Sequence, residues 1–161
     1  MQVNKKEEVT NKIMVEFSKT IEMFDLTPLE ARLFAFLYLS EKPLTLDDMS
    51  DAMGKSKTSM STGVRSLLEL NLVTRVWKKG ERKDLFQANT QLFKTFMNTY
   101  INKWIDATKH QNHSLVEINK LLVEQKRSDF TDDLASVDNR LNDIIDFHTQ
   151  VEALFREMKQ D

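Results

Sequence analysis

The stretch Leu46–Lys83, LDDMSDAMGKSKTSMSTGVRSLLELNLVTRVWKKGERK, holds the reading on which the rest of the chain depends. Thr45 precedes it as a helix cap, Asp47 and Asp48 fall in the first turn, and apolar Leu46, Met49 and Met53 lead to Gly54 as a stop. Gly54 makes a turn and Ser56 caps a second helix, Lys57–Leu70. Its apolar residues Met60, Val64, Leu67, Leu68 and Leu70 recur mostly at spacings of three and four. The opposite side carries Lys57, Thr58, Ser59, Ser61, Thr62 and Arg65, and no acid appears before Glu69. Short hydroxyls beside long cations suit contacts to base edges and phosphates.

After Asn71, the residues Leu72 to Trp77 alternate as a strand does, Lys78-Lys79-Gly80-Glu81-Arg82-Lys83 turn, and Leu85-Phe86-Gln87-Ala88 return. Between Lys55 and Lys83 eight cations stand against two acids, a local charge of +6 in a chain whose sum is −2. Such a segment is the footprint of a polyanionic partner that total charge conceals. A charge run is more often a solvated face, but here it follows a hydroxyl-rich second helix at the distance a wing requires. The expected fold is mainly α with a small β-hairpin wing, a winged helix-turn-helix, and the expected partner is double-stranded DNA. The site residues are Ser56, Lys57, Thr58, Ser59, Ser61, Thr62 and Arg65 on the helix, with Lys78, Lys79, Arg82 and Lys83 on the wing.

Working outward, Val9, Ile13, Phe17, Ile21 and Phe24 recur at helical spacing, giving an amphipathic helix that ends near Asp25. Thr27 caps the next helix with Pro28 at its first position, and Leu29–Leu39 is apolar nearly all round, so it belongs at the centre of the winged domain. Beyond Thr90, a stripe of Phe93, Met97, Tyr100, Trp104, Ala107, Gln111, Leu115, Ile118 and Leu122 runs to about Lys126. Ser128-Asp129 interrupts it. A last helix repeats Leu134, Val137, Leu141, Ile144, His148, Val151, Phe155 and Met158 at alternating steps of three and four, which reads as one heptad seam. The division expected is 1–26 as an N-terminal dimerisation helix, 27–89 as the winged domain and 90–161 as a linking helix with a dimerisation region. A homodimer built on the terminal helices would present two recognition helices on the order of 34 Å apart and read a palindromic operator. From Asp129 to Asp161 nine acids face three cations, a charge of −6, so that end should point away from DNA.

The chain has 161 residues, 40% apolar and 30% charged, with three glycines and two prolines, a composition that leans to helix. With no cysteine, disulfides, thiol redox sensing, cysteine nucleophiles and thiolate metal sites are excluded. No segment has the length and apolarity of a membrane span, and the polar start Met1–Glu8 is no signal peptide, so the expected location is the cytoplasm. Enzyme chemistry finds little support. Gly54-Lys55-Ser56 lacks the earlier glycine of a phosphate-binding loop, since that position is Met49. His110 and His113 have only Glu117 near them as a third ligand and read as solvated, while His148 sits in the heptad seam. The expectation is no enzyme, no metal and no cofactor.

Taken together, Leu26–Leu33, Leu44–Met49, Gly54–Thr62 and Val76–Leu85 resemble the GbsR-type branch of the MarR-like transcriptional regulators, over roughly Thr10–Tyr100. The resemblance implies a dimeric winged-helix repressor, and its best-known branch controls uptake or synthesis of the osmoprotectant glycine betaine from choline. A quaternary ammonium is best held by aromatic faces, each worth roughly 0.5–2 kcal/mol. If that ligand carries over, Trp77, Phe86, Phe93, Phe96, Tyr100 and Trp104 are its candidate residues, although aromatic residues at helical spacing are usually core. Two other readings stand beside it: a MarR-like regulator responding to aromatic acids, and a winged-helix protein-interaction module in chromosome maintenance. Gly63, inside the second helix, costs about 1 kcal/mol against alanine and permits close approach either to DNA or to the preceding helix.

Overall fold

The computed structural model describes residues 5–126 and 132–159. The expected break at Ser128-Asp129 lies outside them. In chain order the elements are α1 (Lys5–Glu22), α2 (Pro28–Leu39), α3 (Leu46–Met53), α4 (Lys57–Glu69), β1 (Val73–Val76), β2 (Leu85–Ala88), α5 (Leu92–Lys126) and α6 (Asp132–Met158). None of the described helices is long and apolar enough to cross a membrane. Two compact units divide the chain, Met1–Phe96 and Met97–Asp161. This differs from the expected 1–26, 27–89 and 90–161, because α1 packs on α2 inside the first unit and the first turns of α5 supply Phe96 to its core.

The helices α2, α3 and α4 start where their cap residues dictate. Thr27 accepts from the Glu30 amide while the Glu30 carboxylate accepts from the Thr27 amide at 2.8 Å. Thr45 and Asp48 form the same reciprocal pair on α3, and Ser56 accepts from the Ser59 amide on α4. These local bonds satisfy backbone donors that have no partner within the helix. Gly54 ends α3 in the left-handed region at φ 65°, where a side chain would be strained.

The core of this unit is apolar and strongly aromatic. Phe34 on α2 is fully buried, with the rings of Phe17, Tyr38 and Phe96 within 6.3 Å of its own and Phe24 packed on Phe96 at 5.2 Å. Ala31, Leu33, Ala35 and Leu37 of α2 are buried around it, so α2 is the central helix the sequence predicts. Met60, Val64 and Leu67 of α4 close the core from one side. The hairpin pairs β1 with β2 antiparallel, Val73 opposite Ala88 and Val76 opposite Leu85. Phe86 also exchanges two backbone hydrogen bonds with Leu44, which welds the wing to the segment before α3.

The second unit is an α5–α6 hairpin, and here the expected stripes are corrected. The contact seam of α5 is Ile101, Ile105, Thr108, Asn112, Leu115, Asn119 and Leu122, all buried or half-buried. That of α6 is Leu134, Asp138, Leu141, Ile145, His148, Glu152 and Phe155. Both step by four and three, as a heptad demands. Trp104 stacks on Phe155 at 5.2 Å, and Asn112 reaches Thr149 at 3.5 Å. The sequence stripe of α5 instead followed Trp104, Ala107, Gln111 and Ile118, which are exposed, and the single seam read into α6 merged two. Leu134, Leu141, His148 and Phe155 turn inward, whereas Val137, Ile144 and Met158 are 55%, 44% and 41% exposed. The inward seam contains Thr108, Asn112, Asn119, Asp138 and Glu152, and those polar residues hid it from an apolar count.

Candidate nucleic-acid interface

The second helix of the turn pair, α4, has two faces of opposite character. Met60, Gly63, Val64 and Leu67 are buried, and Lys57, Thr58, Thr62 and Arg65 are exposed, with Ser59 and Ser61 half-buried at the margin. Positions 57, 58, 61, 62 and 65 lie on one side because a helix turns once in 3.6 residues. Its first turn holds no acid, so the positive end of the helix dipole is left for an outside anion. Ser56 acts as the cap and its hydroxyl also bonds the Ser59 hydroxyl at 3.0 Å, while Thr62 donates to the Thr58 carbonyl at 3.1 Å. Lys57 and Arg65 are the long side chains of that face.

Gly63 settles a question the sequence left open. A Cβ placed there would lie 3.0 Å from Leu33 Cδ2, so the missing side chain admits α2, and neither DNA nor the immediately preceding helix α3 is the neighbour it makes room for. Ser66, one turn on, donates to Glu30 and ties the back of α4 to the capping residue of α2. Partial burial raises the Glu30 carboxyl, but the hydrogen bonds from Ser66 and Thr27 outweigh it and hold the group below its ordinary value of 4.5.

The wing carries Lys78, Lys79, Arg82 and Lys83, all exposed, around Gly80 at φ 86°. Arg75, earlier on β1, is occupied with its cross-strand neighbour: its guanidinium sits 5.6 Å from the Phe86 ring centre. Lys83 does not project freely either. Its ammonium lies 2.6 Å from Asp47 on α3, which also pairs with Lys57 at 3.3 Å. Sequence reading placed both lysines on the interface and passed over Asp47, since nothing in a linear sequence brings position 47 to positions 57 and 83.

The six aromatic candidates fall into separate surroundings. Phe86 and Phe96 are 3% and 7% exposed and belong to the core of the first unit. Trp77 and Phe93 are 82% and 69% exposed on that unit. In the second unit Tyr100 and Trp104 cluster with Phe155, Tyr100 edge-on to both.

Residues 24–82, the segment running from the end of the first helix through the wing turn, match the family model of the MarR family. The chain is 29% identical over 120 residues to the HTH-type transcriptional repressor OpcR of Bacillus subtilis, covering 74% of this chain and 60% of that protein. It is 27% identical over 150 residues to the HTH-type transcriptional repressor GbsR of the same organism, covering 91% and 78%. This chain therefore spans about three fifths of the length of the first of these relatives. A crystal structure of a transcriptional regulator superimposes with a TM-score of 0.61 at 16% identity, over 92% of this chain and 94% of that one, which shows a shared fold. With that segment matched, these relatives alongside and a hydroxyl-and-cation helix set beside a basic hairpin, the winged part of the chain is similar to the MarR family, in keeping with its resemblance to the GbsR-type branch.

Proposed function

We propose that this chain is a DNA-binding transcriptional regulator, a homodimeric repressor rather than an enzyme, acting in the cytoplasm on a palindromic operator. The observation that carries the reading is the division of α4, whose apolar face is spent on the core while Lys57, Thr58, Thr62 and Arg65 remain outside beside a four-cation wing. In this reading Arg65 and the neighbouring hydroxyls meet base edges, and Lys78, Lys79 and Arg82 meet phosphates or the minor groove. The names of the two repressor relatives favour repression over activation.

Dimerisation is supported by the outward heptad of α6. Val137, Ile144, Phe147, Leu154 and Met158 are all more than 40% exposed, a stripe that a lone hairpin leaves in water and a second copy would cover. The effector proposed is choline or glycine betaine, whose quaternary ammonium takes aromatic faces. Of the candidates, Tyr100 and Trp104 offer partly open rings beside Phe155.

Titration of random duplex at two salt concentrations, followed by selection of a preferred site, tests the reading. A regulator binds both and loses affinity steeply as salt rises, whereas absence of duplex binding at low salt refutes it. Arg65→Ala should cost about 1–3 kcal/mol on the selected site and relax base preference there. Choline or glycine betaine should raise the melting temperature, an effect reduced in Trp104→Ala. Stabilisation by aromatic acids alone would replace the osmoprotectant with that class.

A further inference from the structure

The one cross-element ion cluster on the proposed DNA face, among the described residues, is centred on an acid. Asp47 lies in the first turn of α3, its side chain 41% exposed, and its two oxygens receive different ammoniums: Oδ1 that of Lys57 at 3.3 Å, Oδ2 that of Lys83 at 2.6 Å. One cation opens α4 and the other closes the wing turn, so three elements meet at a single carboxylate. The contacts line a cleft of about 270 Å³ that also takes in Arg82 and Asp84. Lys83 and Lys57 hold the Asp47 carboxyl below its ordinary value, and Asp47 in turn raises Lys83. The cluster is therefore charged across the physiological range.

A backbone phosphate carries the same single negative charge as this carboxylate and is bound by the same donors. Two lysines of the DNA face are thus already satisfied by an internal anion that stands where a phosphate would. We propose that Asp47 is an intramolecular competitor of backbone phosphate, a specificity-determining residue that withholds Lys57 and Lys83 from arbitrary DNA. Only a duplex that also supplies the base contacts of α4 compensates for breaking both ion pairs. Arbitrary duplex meets the remaining cations alone. The inference rests on the DNA-binding reading above and adds to it a residue that opposes binding.

The test is Asp47→Asn, which keeps shape and removes the charge, with Asp47→Ser as a second variant and a thermal melt to confirm folding. Each is titrated with a short random-sequence duplex over a salt series. Freeing two cations should tighten low-salt binding about tenfold and steepen the log–log salt dependence by about one to two. Lys83→Ala should then weaken random-duplex binding more in the Asp47→Asn background than in the native chain. Asp51→Asn, which removes an equal charge from the exposed surface of the same helix outside this cluster, controls for net charge. Unchanged or weaker random binding in both Asp47 variants, or an equal rise in Asp51→Asn, overturns the proposal. Should the native chain itself show no salt-dependent binding, the DNA reading fails with it, and the two failures are told apart by that one titration.

Discussion

In the winged unit the helix α4 buries Met60, Val64 and Leu67 and exposes its cations, whereas in the α5–α6 hairpin Asn112 and Thr108 lie in the contact seam and Phe147 and Leu154 lie outside. The same heptad logic thus produces opposite outcomes. The first unit gathers α1 to α4, both strands and the first turns of α5 into one core and has enough internal surface to hide most of its apolar residues. A two-helix hairpin has one contact seam, and every further apolar stripe must stay in water or find another chain. The hairpin's polar seam also carries a cost, because Asn112 Oδ1 is buried without a hydrogen-bond partner. In the proposed dimer the exposed apolar stripe of α6 is the surface a second copy would cover, while the winged unit keeps its large apolar residues in its own core.

The contrast can be broken most strongly at Phe34. Phe34→Ala removes a fully buried ring with three aromatic neighbours and should destabilise the chain by about 3–5 kcal/mol in denaturant melts. A loss below about 1 kcal/mol would show that the winged core does not depend on this ring. At Asn112 the sign should reverse. Asn112→Leu removes the orphaned oxygen, and Thr149 keeps its bond to the Ile145 carbonyl at 3.0 Å, so a stabilisation of about 1–2 kcal/mol is expected. Loss of stability there would mean that the polar seam secures the hairpin rather than taxing it.

Gly63→Ala sharpens the account of α4. Helix propensity favours alanine by about 1 kcal/mol, but overpacking against the buried Leu33 opposes it by about 1–3 kcal/mol, so a net loss of about 1 kcal/mol is expected from thermal melts. A gain would show that α2 yields at this point. The smallest effect should come from acid. Because the folded Glu30 carboxyl lies below its ordinary 4.5, its contribution is present above that value and fades as pH falls through the lower folded value. Melting temperature between neutral and acidic pH should drop less in Glu30→Gln than in the native chain, and equal slopes would remove Glu30 from the α2–α4 tie.

Local chemistry made most of the winged unit legible from sequence. Thr27, Thr45, Ser56 and Gly54 act within four residues of themselves, so their caps and turns can be read without knowing what lies across the fold. The separation of Met60, Val64 and Leu67 from Lys57 and Arg65 is likewise a property of one helix. The hairpin resisted the same reading because α6 carries two overlapping apolar heptads. Their residues are alike in kind, and only the position of α5 decides which of them is covered.

Sequence alone therefore determined the element order, the helix boundaries to within a few residues, the basic hairpin and the cationic face of α4, all of which depend on neighbours along the chain. Tertiary structure alone decided that Gly63 admits Leu33, that Phe86 and Phe96 are spent on the core, and that Asp47 bridges Lys57 and Lys83. The physical reason is range. Capping and periodicity are satisfied within one or two helical turns, but packing partners and ion pairs 36 residues apart exist only once the chain has folded back on itself.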